Sequence, residues 1–309
     1  NMQATKQDQR LGFGAKFRKM LRKKFRKGEI GYQIVTSLFL LFLLIVSAYP
    51  LLYVLGASFM SEEEWIARGG LFLFPHSPTI AAYAYIFKEV NLYKSIAVSI
   101  ARALVGPVLS VLFCNMIFGY ALSLDNLWGK RVLSIFVFVT MVFGGGTIPQ
   151  YLIRDYTGLL NNFWVFVIPG LLGGWSSLLF KQTFLGTPSS ILESARIDGA
   201  SELQILVRVM LPMHMGTVAI MIFMGAVGQW NSWFDALLYI DTNNADLIPL
   251  QLYLKNYLAQ STESSTAIVQ NAEAKKMAVA VVGILPIVLL YPFFLKYFTK
   301  GVYMGSVKE

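Results

Sequence analysis

The sequence predicts an all-α integral membrane protein, and three observations predict it. The first is composition. Of 309 residues, 56% are hydrophobic and 14% charged, and mean hydropathy is +0.57. A soluble domain carries about 25% charged residues, so this chain lacks the polar surface to cover a soluble body, and the same arithmetic excludes a disordered one. The second is a run without a single charge over residues 33–57. It exceeds the roughly 20 residues that cross a hydrocarbon core and the roughly 7–15 of a removable signal segment, so it reads as a retained span. The third is where the charge sits. The net charge is +9, yet residues 1–30 hold ten basic residues and two acids, while the other 279 hold 16 basic and 15 acidic. A basic balance raises nucleic acid as a partner. An excess confined to a tail ahead of an apolar run argues against nucleic acid and for a cytoplasmic tail (1–31) that sets topology and lies on anionic membrane lipid.

Five further spans follow the first in a body over 32–300, with a short tail at 301–309. Residues 94–123 contain one charge, Arg102. Residues 132–153 are interrupted by Gly144-Gly145-Gly146 and Pro149, and 163–185 by Pro169 and Gly173-Gly174. Residues 216–240 carry Asp235 near one end, and 277–298 contain Pro286 and Pro292. Such breakers are tolerated in membrane helices whose neighbours satisfy the freed backbone groups. With the N-terminal tail in the cytoplasm, six spans return the C-terminus there. The cytoplasmic side then holds 18 Lys and Arg against seven outside, which supports that orientation. Two long outer stretches, 58–93 and 241–276, read either as solvated caps or as surfaces for an external partner. Cys114 is a lone thiol in an apolar stretch and reads as a small core residue.

The loop between the fourth and fifth spans, 186–212, has the clearest local grammar. Thr187 is placed to cap a helix with Pro188 at its first position, and Ser190 with Glu193 has capping-box spacing. Gly199 is placed to end that helix in a left-handed turn. Ser201 with Gln204 starts a second helix, which Pro212 stops. Ile191, Leu192 and Ala195 share one face of the first helix, and Leu203, Leu206, Val207 and Met210 share one face of the second. An apolar face on a cytoplasmic loop needs a cover, either the spans or a partner's groove.

Glu193-Ser194-Ala195, then Asp198-Gly199-Ala200, then Val209 and Leu211-Pro212 resemble the EAA loop of binding-protein-dependent ABC importer permeases, specifically the carbohydrate-uptake subfamily of maltose G-type and lipo-oligosaccharide C-type subunits. The chain departs from the usual motif at Ser194 (for Ala) and Val209 (for Ile). Gly158-Leu159-Leu160-Asn161, Trp230-Asn231 and Phe298-Thr299-Lys300-Gly301 agree with the resemblance, which covers about residues 32–305. It implies a six-helix type I importer transmembrane domain in the plasma membrane. It also implies a coupling helix seated in a cleft of a cytoplasmic ATPase subunit, with Glu193, Ser194, Ala195, Asp198, Gly199, Ala200, Leu211 and Pro212 as the coupling residues, Glu193 as the polar contact and Gly199 as the turn that permits the fit. The implied partners are a homologous permease, two ATPase subunits that bind ATP and Mg, and an external sugar-binding protein.

No phosphate-binding loop of the form G-x-x-x-x-G-K-[ST] occurs, and His76 and His214 lack ligand spacing, so ATP hydrolysis is expected elsewhere. Sugars need aromatic faces and paired polar groups. Gln229, Trp230 and Asn231, with Asn115, Arg102 and Tyr151, are therefore candidates for a substrate path, because intramembrane polar residues are costly and often functional. The same residues can equally bond between helices, or sit in an interfacial aromatic belt. Arg102 would favour acidic sugars if it faced the path. A stand-alone secondary transporter is the alternative reading. It calls for coupling carboxylates or an inverted repeat, and neither is evident.

Overall fold

The computed structural model describes residues 30–68, 74–263 and 272–306. The basic tail falls outside these except for its last two residues. All regular structure in the described residues is helical. The chain divides into two compact units, Asn1–Tyr53 and Val54–Glu309. Helix α1 (Ile30–Ser58) runs unbroken through Pro50. It is followed by α2 (Glu62–Arg68), α3 (Ala81–Ile86) and a long helix α4 (Val90–Ser123) whose middle, Leu109–Asn115, is wound as a π-helix. Then come α5 (Lys130–Val142), α6 (Thr147–Tyr156), α7 (Gly174–Leu185), α8 (Ser189–Ile197), α9 (Glu202–Met213), α10 (Met215–Asn231), α11 (Phe234–Tyr239), α12 (Leu250–Glu263) and α13 (Ala272–Ser306).

Three stretches are long and apolar enough to cross a membrane unaided: Gly31–Ser58, Val90–Ser123 and Glu273–Leu295. Three bent pairs raise the number to as many as six. The bends fall where the sequence placed its breakers, but they are sharper than a kinked span. α5 and α6 meet at 112°, because Gly145 and Gly146 take φ of 72° and 83°, values side chains with a Cβ avoid. Residues 132–153 are thus two helices rather than one. The stretch 163–185 begins as 3-10 turns (Phe163–Phe166 and Ile168–Gly170) and reaches α7 through a 45° bend. The fifth expected span, 216–240, is also interrupted: α10 stops at Asn231, and α11 restarts after Ser232 and Trp233. α13, by contrast, continues past 298 to Ser306, into the expected tail.

Two ends of the second unit are cored separately. At one end Val111, Met116 and Tyr120 of α4 meet Phe180 and Phe184 of α7, Ile205, Leu206 and Met210 of α9, and Val218 and Met221 of α10. At the other, Leu92 of α4, Trp230 of α10 and Ala274, Ala278 and Val279 of α13 enclose Leu250 and Leu254 of α12, while Leu252 fills a neighbouring cluster with Phe166 and Tyr239. The 28 residues of α4 between Leu92 and Tyr120 separate these ends by about 40 Å. The stretch 241–276 is therefore more than a solvated cap: α12 is wedged between two cores, and the Leu250 amide donates to Ser99 Oγ at 2.7 Å.

Candidate functional site

The loop 186–212 is two short helices, and its turn is built as the residue pattern requires. Gly199 has φ of 78°. Its amide donates to the Arg196 carbonyl, and the Ala200 amide donates to the Ala195 carbonyl, both at 3.0 Å. This is the double closure of a Schellman turn, and a Cβ at 199 would strain it. Ser201 and Gln204 form the expected reciprocal capping box. The first helix starts differently from expectation. It opens at Ser189 behind Pro188 with no side-chain cap, because the Thr187 hydroxyl is taken by His214 Nε2 at 2.9 Å. Ser190 does not cap either; its carbonyl accepts from Ser194 Oγ at 2.8 Å. That bond also shows how a serine is accommodated where the motif usually has alanine.

The buried face of the second helix differs as well. Leu206 and Met210 are buried, but Leu203 and Val207 are exposed, and Ile205 joins the core instead. The cause is the π-turn over Leu206–Met210. Its wider winding puts Ile205 and Met210, five residues apart, on the same side. The helix carries on through Pro212 and ends at Met213, where an 82° bend leads into α10.

Leu192, Ala195 and Ala200 pack on the core that α4, α7 and α9 share, while Glu193, Ser194, Arg196, Ile197 and Asp198 face outward. Glu193 makes no hydrogen bond or ion pair among the described residues, and it lines an open groove of about 530 Å³ with Asp125, Asn126, Arg196 and Glu202. Glu202 is the strut. It accepts from Tyr120 Oη of α4 at 2.5 Å and from Arg196 Nε at 3.0 Å, and Tyr120 is itself buried edge-on against Phe184. The Glu202 contact holds the Arg196 guanidinium above its ordinary pKa. Neither Tyr120 nor Glu202 was singled out from sequence; a lone tyrosine in an apolar run gives no sign of its partner.

The six substrate-path candidates separate by what their polar groups do. Arg102 is fully buried. It donates to Gln229 Oε1 at 2.9 Å, to the Ser232 carbonyl at 3.3 Å and to both oxygens of Asp235, and it lies 4.2 Å over the Phe166 ring. It therefore faces Asp235 across the α10 break, which removes the reason to infer acidic sugars from it. Gln229 also donates to the Phe166 carbonyl at 3.0 Å, and Trp230 Nε1 to the Gly283 carbonyl of α13 at 2.9 Å. Asn115 donates to Ser110 and to the Leu171 carbonyl at 3.0 Å, and accepts from the Gly173 amide and Ser177 Oγ at 2.9 Å. These bonds occupy its amide on both sides. Tyr151 stacks on Tyr239 with ring centroids 6.1 Å apart and remains partly exposed. Asn231 is exposed at the end of α10.

A bundle of apolar helices that presents a packed two-helix loop at one end has the form of a membrane-spanning transporter subunit. Its resemblances to known proteins carry that further. The chain is 34% identical over 277 residues, 87% of its length and 96% of the relative's, to the polygalacturonan/rhamnogalacturonan transport system permease protein YtcP of Bacillus subtilis strain 168. It is 36% identical over 269 residues, 85% and 90% of the two lengths, to protein LplC of the same organism. Among solved structures it matches a chain of a bacterial ABC transporter that imports the acidic polysaccharide alginate. The TM-score is 0.81 and the identity 28%, over 89% of this chain and 99% of that one. No family model matches the chain. The chain belongs to the permease subunits of ABC sugar importers. It is a multi-pass membrane subunit, not an enzyme, and its class of transporter works with an ATPase partner.

Three variants test these bonds. Asp235→Asn leaves the Arg102 charge buried without its counter-ion and is expected to cost about 3 kcal/mol, the low end for a broken buried pair because Asp235 keeps some exposure. Arg102→Met with Asp235→Leu should recover most of it. Thermal unfolding in detergent measures both. Tyr120→Phe removes one bond to a carboxylate, worth about 1.5 kcal/mol. Hydrogen exchange should then speed up across 189–205 while α13 is unchanged; uniform protection would remove Glu202 as the strut.

Proposed function

We propose that this chain is one of two homologous permeases in an importer that moves oligosaccharides into the cytoplasm. α8 and the turn at Gly199 are the coupling element, seated in a cleft on one of two ATPase subunits that bind ATP and Mg. Both termini are cytoplasmic, and an extracytoplasmic sugar-binding protein delivers the substrate. The observation that carries this reading is the loop itself. Its apolar side is fastened to α4 and α7, while Glu193, Ile197 and Asp198 are left outward. A rigidly anchored loop with a free outer face can pass a partner's movement to the spans, rocking them between two states. Residues Glu193, Ser194, Ala195, Asp198, Gly199, Ala200, Leu211 and Pro212 form this element, with Glu193 as the polar contact.

The proposed substrate class is oligosaccharides that carry carboxylates. Support comes from the names of two resembling proteins, one for polygalacturonan/rhamnogalacturonan and one for alginate. Among the path candidates, Tyr151 offers a partly exposed ring and Asn231 an exposed amide, the pair of features a sugar needs. Arg102, Asn115, Gln229 and Trp230 line the path only as its framework.

In the assembled complex, Glu193→Ala should lower substrate-stimulated ATP hydrolysis and uptake by about tenfold, the worth of one charged hydrogen bond, with assembly intact. Full stimulated activity would remove Glu193 from the coupling contact. In the same preparation, oligogalacturonides should stimulate hydrolysis where neutral maltooligosaccharides do not; the reverse preference would overturn the substrate class.

A further inference from the structure

We infer that a groove between α5 and α7 binds one anionic phospholipid. The groove is open, about 620 Å³, and is lined by Lys130, Arg131, Ser134, Ile135 and Phe138 of α5 and Lys181 of α7. Its two halves differ in chemistry. Three cations gather at the end where α5 begins. Ile135 and Phe138, both more than half exposed, follow one and two turns further along. From Arg131 to Phe138 the change takes about 10 Å, and the apolar surface then continues over Val139 and Val142.

The cations are incompletely answered within the chain. Lys130 lies 3.3 Å from Asp125, a side chain almost wholly in the open. Lys181 Nζ donates to the neutral hydroxyl of Ser134 at 3.0 Å. Arg131 has no partner among the described residues. Two of the three cations also occupy the first turn of α5, which contains no acidic residue, and positive charge is disfavoured beside the positive end of a helix dipole. An anion held there is attracted by the side chains and by the helix together.

The apolar half selects which anion. A free phosphate would leave Ile135 and Phe138 uncovered. A helix of a companion permease would cover them but would need carboxylates opposite three cations. A phospholipid supplies an anionic head and an acyl chain in one molecule, in the order the groove presents them. The loop that precedes α5 borders the same groove as Glu193. The basic end therefore lies on the coupling-loop side, and only the naming of that leaflet as cytoplasmic rests on the proposed orientation.

The test is native mass spectrometry of the full chain, alone and assembled with its companion subunits, in mild detergent supplied with dioleoyl phosphatidylglycerol or dioleoyl phosphatidylcholine. The wild-type chain should retain phosphatidylglycerol in preference to phosphatidylcholine in both forms. Arg131→Gln with Lys181→Gln should weaken that retention by about thirtyfold, and Arg131→Lys with Lys181→Arg should preserve it, which separates lost charge from lost folding. Equal retention by the glutamine variant overturns the proposal. So does displacement by glycerol phosphate, which would mark a site for the free anion, and so does retention by the isolated chain but not by the assembly, which would mark a permease contact. Because the readout is lipid mass rather than transport, it stands or falls separately from the Glu193 result.

Discussion

A backbone carbonyl or amide released by a helix break inside a bilayer finds no water, and every break must therefore be closed by another part of the protein. Among the described residues, several polar side chains serve that need. Asn115 holds the Leu171 carbonyl and the Gly173 amide where the approach to α7 bends. Arg102 takes the Ser232 carbonyl where α10 ends. Gln229 takes the Phe166 carbonyl at the end of a 3-10 turn. Trp230 reaches the Gly283 carbonyl, three residues before Pro286, and so ties α10 to α13. The polar residues and the breakers are two halves of one arrangement.

This explains why polar residues in an apolar run misdirect a search for a substrate path. An intramembrane arginine or asparagine is expensive, so it has a reason to be present, but closing a break is reason enough. Arg102 in α4 and Asp235 in α11 lie 133 positions apart, and no local pattern joins them. What discriminates framework from path is capacity left over. Asn115 has none, whereas Asn231 and Tyr151 have some.

Legibility in the sequence followed the range of the interaction. The Schellman turn at Gly199 and the capping box at Ser201 depend on residues within a few positions of each other, and both could be read. So could the bend at Gly144–Gly146, although not its 112° angle, which depends on the φ values the glycines take. Thr187 was misread because His214, 27 residues on, competes for its hydroxyl. The apolar face of α9 was misread because the π-turn over Leu206–Met210 brings Ile205 and Met210 to one side, and composition does not announce π-turns. The role of 241–276 was hidden in the same way: Leu250, Leu252 and Leu254 are spaced for neither a single helix face nor a loop, and they make sense only once two cores flank them.

The separation of the two cores has a mechanical meaning. The loop 186–212 shares its core with the near ends of α4 and α10, and the far ends of the same helices share another core with α12 and α13. Close-packed clusters resist internal deformation, so under the proposed coupling role a displacement of the loop would not be absorbed where it enters. It would be carried along α4 and α10 to the far end, or taken up beside the near core, where α4 is wound as a π-helix, and where Arg102 bridges the end of α10 to α11. Those points are held by directional polar bonds of Asn115 and Arg102, which can exchange partners at less cost than a packed core can be opened. In a transporter that must change shape at one end in response to the other, the rigid parts and the adjustable parts are distributed accordingly.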